Sequence, residues 1–488
     1  MTSKDQVDRR KILQAIGGTV GVAGMAGCSG EGNGNSNGNE NGNDNGNGNG
    51  DDSTPTEGDS EWPDLSGEEI HFVTDSASDD YRDLFGQVKE DFEAETGATL
   101  NIEYAQHGDA KQEILARQLQ AGDPPEVFDG NSAEVADLYT QGLLNPVNNV
   151  IEALEATETF GELIDSARVL DKEGNNLVVN DGGTMGTHWY RTDIVDFVPE
   201  TWDEQLEWAE EAHQSSETAY GFYVPTGEEN CVNYFYQAYG WNNGARIAER
   251  NDSGEVEIVM DQGEYRDRWV ETLEYLDQLH EFSPTASDAT CSTMINTVPT
   301  QEAAACYYPG ARPKQQSIER GHEWAPQLDP LPGNPEAPND SIYPDISQNL
   351  SSGGFGGFVV LDGSNVEGGQ TFLEYYYKSY GVEHFVQDII HYTPGAWSNL
   401  PESEEYQSYL DDVDPAWEED DIEQALDAVN HCIDAPNETR PPYPGGGSIH
   451  TANLLPRMGY QVLVEGKPAG QAVDDIAPQC REIIEESS

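Results

Sequence analysis

The residue types that could do chemistry in this chain are planar acceptors and aromatic rings, not reactive centres. The motifs that carry a serine nucleophile, a zinc-bound water or a nucleotide phosphate (Gly-x-Ser-x-Gly, His-Glu-x-x-His and the Walker loop) are absent. No Cys-x-x-Cys pair occurs, so no zinc site is expected, nor any cofactor. The clearest polar group is Asp129-Gly130-Asn131, directly behind the "EVF" of an expected strand. In a parallel sheet, ligands gather where strands end and helices begin, which is where this loop would lie. The same Asp and Asn could equally do no more than cap the following helix.

Elements of an open α/β sheet are expected to position that loop. "EEIHFVTD" carries Ile70 and Phe72 in strand alternation, and "ATLNIEYAQ" carries Leu100, Ile102 and Tyr104 likewise. Between them, Tyr81, Leu84, Phe85, Val88 and Phe92 recur at helical spacing, and Gly97 is the expected stop. "DAKQEILARQLQAG" predicts a helix ending at Gly122, followed by a third strand and the helix "SAEVADLYTQGLL". This βαβαβα order implies parallel strands with crossover helices. Further on, Thr201 and Glu204 form a capping-box pattern before "WDEQLEWAEEAH", and "YRDRWVETLEYLDQLHEF", "GGQTFLEYYYKSYG" and "QALDAVNHCI" read as helices. "SSGGFGGFVVL" is a glycine-rich entry to another strand.

The first residues read as an address. Arg9-Arg10 precedes an apolar run from Ile12 to Ala26, shorter than the roughly 20 apolar residues that span a bilayer. A charged start, a short apolar stretch and small residues before Cys28 make an export signal of the twin-arginine kind. Met25-Ala26-Gly27-Cys28 resembles a lipoprotein box, in which the Cys28 thiol takes a diacylglycerol and becomes the mature N-terminus. The Asn/Gly/Asp-rich stretch 29–62 cannot bury a core and is expected to be a disordered tether above the membrane. The remaining chain is long enough for two lobes.

Formal net charge is -69, from 92 acidic and 23 basic residues, spread over the whole folded part. Such a chain repels nucleic acid and anionic lipid headgroups. It resembles proteins of extreme halophiles, in which molar salt cuts the Debye length to about 3 Å and screens self-repulsion. A cation-storage role lacks any Asp-x-Asp-x-Asp-Gly loop. With Cys28 assigned to the anchor, Cys231, Cys291, Cys306, Cys432 and Cys480 remain, an odd number that leaves at least one free thiol. Export permits disulfides. The pairings expected from moderate loop lengths are Cys432 with Cys480 and Cys291 with Cys306. Sequons stand at Asn251, Asn339, Asn349 and Asn437.

Five segments in sequence order now resemble one family. They are "QLQAGDPPEVFDG", "LYTQGLLNPV", "HWYRTDIVDFVPETWDEQLEWAEE", "DPLPG" with "SSGGFGGFVV", and "LVEGKPAGQAVDDIAPQCREII". Together they resemble the maltose-binding-protein-like extracellular solute-binding proteins of ABC sugar importers, here of a haloarchaeal lipoprotein type. The resemblance runs from about Leu65 to Ile484. It implies a two-lobed periplasmic-binding-protein-like α/β fold with three interlobe crossovers, near 181–186, 351–357 and 393–399. It also implies lobes of 63–182 with 352–396 and 183–351 with 397–488, a ligand held between them, and hinge closure. The implied protein is a monomer at the outer face of the cytoplasmic membrane that passes a carbohydrate to a permease. The family's Tyr-Asn pair after the first crossover is Tyr190-Arg191 here.

A sugar needs aromatic platforms for its C–H faces and planar groups for its hydroxyl rim. The resemblance implies Asp129 and Asn131 from the first lobe, with Glu228 and Asn230 from the second. Tyr307, Tyr308 and Arg312 lie in "AACYYPGARPK", where the family has a stacking Trp that is missing here. Trp241, Trp397 and Tyr443 complete the expected set, each of them also a residue type that often only fills a core. His188, Trp189 and His450 stand close to these positions. Two other functions fit parts of the sequence. An exported glycoside hydrolase would need two carboxylates at a set separation, which 92 acidic residues always supply by chance. A binding protein for ferric ion would use adjacent tyrosines such as those in "CYYPG" or "EYYYKSY", and one for a polyol phosphate would want clustered Arg or Lys.

Overall fold

Strand β1 (Glu69–Thr74) buries Ile70, Phe72 and Val73 and pairs in parallel with both of its neighbours, β2 (Thr99–Tyr104) and β3 (Val127–Gly130). Its partners arrive over two helices, α1 (Asp79–Thr96) and α2 (Asp109–Ala121). Ser78 caps α1, which buries the expected Tyr81, Leu84, Phe85, Val88 and Phe92 and stops at Gly97 in the left-handed conformation. The computed structural model describes residues 61–487 except 106–108, 181–183, 186, 285–290, 309, 311, 330, 336, 338–350, 355, 364, 389–395, 405, 409–431 and 435–437. The expected signal, Cys28 and nearly all of the tether lie outside the described residues. The chain divides at Pro63, and Asp64–Ser488 forms one unit.

After β3 come α3 (Ser132–Thr140), β4 (Leu144–Asn145), α4 (Asn148–Glu155) and β5 (Val179–Asn180). The chain then forms β6 (Thr184–Met185) and β7 (His188–Tyr190), followed by α5 (Trp202–His213) and α6 (Asn230–Asn242). The hairpin β8 (Ala248–Arg250) and β9 (Val256–Ile258) leads to α7 (Gly263–His280) and α8 (Cys291–Thr297). Next are β10 (Ala305–Tyr307), α9 (Arg312–Glu319), β11 (Gln327–Asp329) and β12 (Ser351–Gly354). The last elements are β13 (Gly357–Leu361), α10 (Val366–Asp388), β14 (Cys432–Asp434), α11 (Gly446–Thr451), α12 (Leu454–Leu463) and α13 (Ala469–Ser487).

Two lobes result. The first sheet has the order β2-β1-β3-β13-β4, and β5 also pairs with β13. Strand β13 is antiparallel to β3, β4 and β5, so the return from the second lobe completes the first. Its entry needs Gly357 at φ 150, where a Cβ would stand 2.2 Å from the Val179 carbonyl oxygen. The second lobe is built on β10-β7-β11, with both outer strands antiparallel to β7. A small third sheet, β14-β12-β6, gathers one strand that follows β5, one that precedes β13 and one near the C-terminus.

Aromatic packing holds each lobe. In the first, Phe72 meets Phe85 and Phe358 edge to face at 5.3 and 5.2 Å, and α10 brings Phe372 and Tyr376 onto the same cluster. In the second, Trp202 stacks on Tyr275 at 4.1 Å. The Thr201–Glu204 capping box is formed as expected.

Two expectations meet a different structure. The expected disulfides do not form, because Cys306 and Cys480 are both free thiols. Cys306 is enclosed in the middle of β10, and Cys480 faces the Met260 sulfur at 3.8 Å from α13, its thiol pushed up to about 12 by burial. Among the described side chains, Cys231 is disulfide-bonded. The helix expected in "QALDAVNHCI" falls outside the described residues up to 431, and its last two residues are strand instead. Cys432 and Ile433 pair in parallel with β12, and pairing partners distant in sequence override local helix propensity. The described end of the expected crossover at 393–399 lies against residues 160–164. Ile164 N–H donates to the Ala396 carbonyl, Ser398 N–H to that of Glu162, and Asn399 N–H to that of Phe160.

Gly459 on α12 lets the hydroxyl end of the Tyr236 ring pack on its backbone, since a Cβ there would stand 2.1 Å from the ring. Tyr236 is also tied through its hydroxyl to the Pro225 carbonyl, at 2.9 Å. Gly459→Ala is therefore expected to destabilise the second lobe by about 1–3 kcal/mol through overpacking. A lowered thermal midpoint in molar KCl checks this.

Candidate ligand-binding cleft

The carboxyl ends of β1 and β3 carry a buried charge cluster. Lys111 shares a face of α2 with Leu115 one turn on, and its side chain is 2% exposed. Its ammonium stands 3.1 Å from Asp75 Oδ2 and 3.1 Å from Glu134 Oε2, and donates to the Asp129 carbonyl oxygen at 2.7 Å. The Asp129 carboxylate accepts the Thr74 hydroxyl at 2.7 Å. Burial alone would depress the Lys111 ammonium, but Asp129, Glu134 and Asp75 outweigh it and keep the group protonated. Asp129 is pushed up to about 6 by burial, helped by the Asp75 charge and opposed by Lys111 and Thr74. One cation thus serves three carboxylates, and Glu134 Oε1 is buried without a hydrogen-bond partner.

Asn131 sits at the rim of this cluster and caps α3. Its Oδ1 accepts the Glu134 backbone N–H at 3.0 Å, and its own N–H donates to Glu134 Oε2 at 2.9 Å. Asp129 and Asn131 therefore both have structural duties at the strand ends. Across from them, α11 of the second lobe packs on α3 and also on α6, α12 and α13. Glu228 and Asn230 lie at the exposed start of α6. Glu228 pairs with Arg457 Nε at 3.2 Å. Asn233 ties this end to α11, donating to the carbonyls of Asn230 at 3.1 Å and His450 at 3.0 Å. The buried Tyr443 ring lies under Gly446. Asp129, Asn131, Glu228, Asn230 and Tyr443 are thus grouped around α3, α6 and α11.

Tyr308 and Arg312 form a second group beside the connecting strand β6. Tyr308 N–H donates to the Thr187 carbonyl, and its own carbonyl accepts the Thr187 hydroxyl and the Trp189 indole N–H. Its half-buried phenol is raised by burial, against the pull of the Arg312 guanidinium. Arg312 heads α9 and reaches Gln315 at 3.4 Å.

Other expected residues are core. Trp241 donates its indole N–H to the buried Glu438 at 3.0 Å, at the end of α6 away from Asn230. Tyr307 packs between His188 and Phe235. Trp397 lies edge-on to Phe160 at 5.3 Å within the first lobe. His188 is fully buried: its Nε2 lies 3.0 Å from the Tyr239 hydroxyl, which donates on to Gln205, and burial holds its pKa down at about 3. His450, held down at about 4 by burial, contacts Gln237 and lies against the Tyr234 ring. Arg191, which replaces the family's Asn, turns inward. It forks onto Asp193 and stacks on Trp324 at 3.5 Å. Among the described residues no three His, Cys, Asp or Glu side chains converge as a metal site, and no helix is long and apolar enough to cross a membrane.

Lys111, Asp75 and Thr74 escaped the sequence reading, as did Tyr234, a half-buried ring in the first turns of α6. The one available signal was Lys111 itself, a basic residue one turn from Leu115 on a helix face that otherwise turns inward.

This fold and site define a class. The chain matches the family model for bacterial extracellular solute-binding proteins over residues 78–383 and belongs to that family. Solved structures similar to it share its fold at low identity. Maltose-bound MalE3 of T. maritima is 15% identical, with a TM-score of 0.61 over 85% of this chain and 99% of that one. UgpB from Mycobacterium tuberculosis in complex with glycerophosphocholine gives 15% and 0.63, over 86% and 99%. An ABC transporter solute-binding protein from Agrobacterium radiobacter K84 in complex with ribitol gives 14% and 0.62, over 86% and 99%. Comparison with curated protein sequences gives no match.

Lys111→Met would leave Asp75, Asp129 and Glu134 buried without their cation. A loss of about 3–5 kcal/mol is expected. The loss should be larger at pH 8 than at pH 5. Asp129 has a folded pKa above its unfolded value of about 3.9, so its buried charge is penalised above the folded pKa and relieved as protonation sets in. Urea unfolding at the two pH values measures both the size and the sign.

Proposed function

We propose that the protein is a lipid-anchored, exported solute-binding protein that captures a carbohydrate or polyol between its lobes and delivers it to an ABC permease. The observation that supports this reading is the packing of α11 on the head of α3, next to the Lys111–Asp75–Asp129–Asn131 edge, and on the start of α6, where Asn230 and Tyr234 lie. In this reading the ligand sits between that edge and a surface of Glu228, Asn230, Tyr234 and α11. Hydroxyl-rich ligands suit such a place, because carboxylates and amides accept from hydroxyls and rings cover C–H faces. In this reading Asp75, Asn131, Asn230, Tyr234, Tyr308 and Arg312 touch the ligand, while Trp241, Tyr307 and Trp397 shape the lobes behind it.

The small sheet of β6, β12 and β14 would be the hinge, placing the third crossover at 432–434. In this reading the chain passes between lobes at these strands, and rotation there would need no change in either sheet. Cys28 would carry the lipid, and the stretch after it would let the lobes move above the membrane. The acidic surface suits molar salt, and the sugar-binding and polyol-binding neighbours favour a neutral hydroxylated ligand. A phosphate ligand is less well served, since the ammonium at this edge is already matched by three carboxylates.

Thermal unfolding of residues 61–488 in about 2 M KCl, with glucose, maltose, maltotriose, ribitol, glycerol 3-phosphate and ferric citrate in turn, tests the reading. A ligand at about 100 times its Kd adds about 2.7 kcal/mol and raises the midpoint by several degrees. A shift with a sugar or ribitol and no product after incubation supports it. A shift with phosphate or iron alone replaces the ligand class, and release of product makes the protein an enzyme. The midpoint without ligand is expected to fall when KCl is lowered to about 0.1 M, as self-repulsion is unscreened. In cells, Cys28→Ser should release the chain from the membrane fraction.

A further inference from the structure

Segment 438–450 is bound to both lobes, and its contacts are of unequal kind. Second-lobe anchoring is polar and buried. Glu438 accepts the Trp241 indole N–H and the backbone N–H groups of Ile247 and Ala248, and Arg250 donates to the Pro441 carbonyl. On the first-lobe side there is an ion pair at the surface, Arg440 Nη1 to Asp165 Oδ2 at 3.1 Å. There is also a backbone contact, where Gly447 lies on the head of α3. A Cβ built on Gly447 would stand 2.5 Å from the Ala133 carbonyl oxygen, 3.0 Å from its carbonyl carbon and 3.1 Å from its Cα. Ser132 and Ala133 are only 4% and 5% exposed under this cover.

We infer that Gly447 is a positioning residue for ligand capture: its missing side chain sets how far the lobes close, because α11 can come to rest on the α3 backbone only where there is no Cβ. This rests on the reading that the cleft binds a small solute. Three features make the contact a stop. The obstacle is backbone, which cannot rotate out of the way as a side chain can. Gly447 is helical, so alanine there favours its own element and strains only the opposite lobe. The contact also lies beside Asn131, at the rim of the polar edge that the ligand would touch. A wedge here therefore widens the cleft where closure matters. No ring can lie between α11 and α3 at this point, so the ligand must sit to one side of it.

Gly447→Ala and Gly447→Val should act as wedges of increasing size. With the wild-type ligand found in the panel, calorimetry in KCl should show Kd raised about tenfold for Ala and more for Val, the range expected of overpacking. The thermal midpoint of the ligand-free Ala variant should equal that of the wild type, separating a wedge from a folding defect. Small-angle scattering should show a larger radius of gyration for both variants with ligand than for the wild type. Equal affinity and equal radius in the Ala variant would overturn the inference. If no panel compound binds the wild type, the binding reading fails. The stop is then still tested without ligand, by a radius that grows from Gly to Ala to Val or by one that does not.

Discussion

Strand β13 lies between β3 and β4, and the layout of the molecule follows from that insertion. A sheet whose middle strand is missing leaves β3 with one unpaired edge, Phe72 without Phe358 on one face and Phe128 without Val359 on the other. Buried backbone groups must find partners, so the first lobe is complete only when residues 357–361 return. The second lobe is consequently an excursion from the first. The chain must cross between lobes on the way out and on the way back, and β6 and β12 lie side by side because of it.

The same return accounts for the cleft. β3 ends at Gly130, where β13 begins, so the polar edge at Asp129 and the connecting strand at Ser351–Gly354 are neighbours by construction. The edge is held by one ammonium among three carboxylates. In a chain with 92 acidic and 23 basic residues, a cation spent on a buried site is informative. Burial would expel each of these charges singly, and together they are retained because each carboxylate has the ammonium or a hydroxyl within reach. The result is an edge whose charges are held by partners within the lobe, with Asn131 and Asp75 at its border.

Aromatic residues divide between two tasks that local sequence does not separate. Trp241, Tyr307 and Trp397 were expected in the cleft and lie in cores. Tyr234, four residues after Asn230, stands half-buried beside His450. A large ring stabilises either setting by the area it covers, so type alone does not choose. Helical phase does not choose either, because Tyr234 and Trp241 are two turns apart and share a face of α6. Position along the helix does: Tyr234 lies against His450 of α11, while Trp241 meets Glu438 from a different part of the chain.

The sequence by itself determined the local elements and their order. The Thr201 capping box, the Gly97 stop, the apolar face of α1 and the three parallel strands with their crossover helices follow from spacing and from short-range hydrogen bonds. The arrangement of Asp129 and Asn131 at a strand end followed from the same order. Family membership was also legible, in five motifs taken together. Only tertiary structure decided that Cys306 and Cys480 stay free, that Cys432 lies in a strand, and that Lys111 sits among the three carboxylates of the polar edge. The approach of Gly447 to Ala133 belongs with these. In each case the partner is remote in sequence, and a residue's environment is then set by what the fold brings to it, which no local pattern encodes.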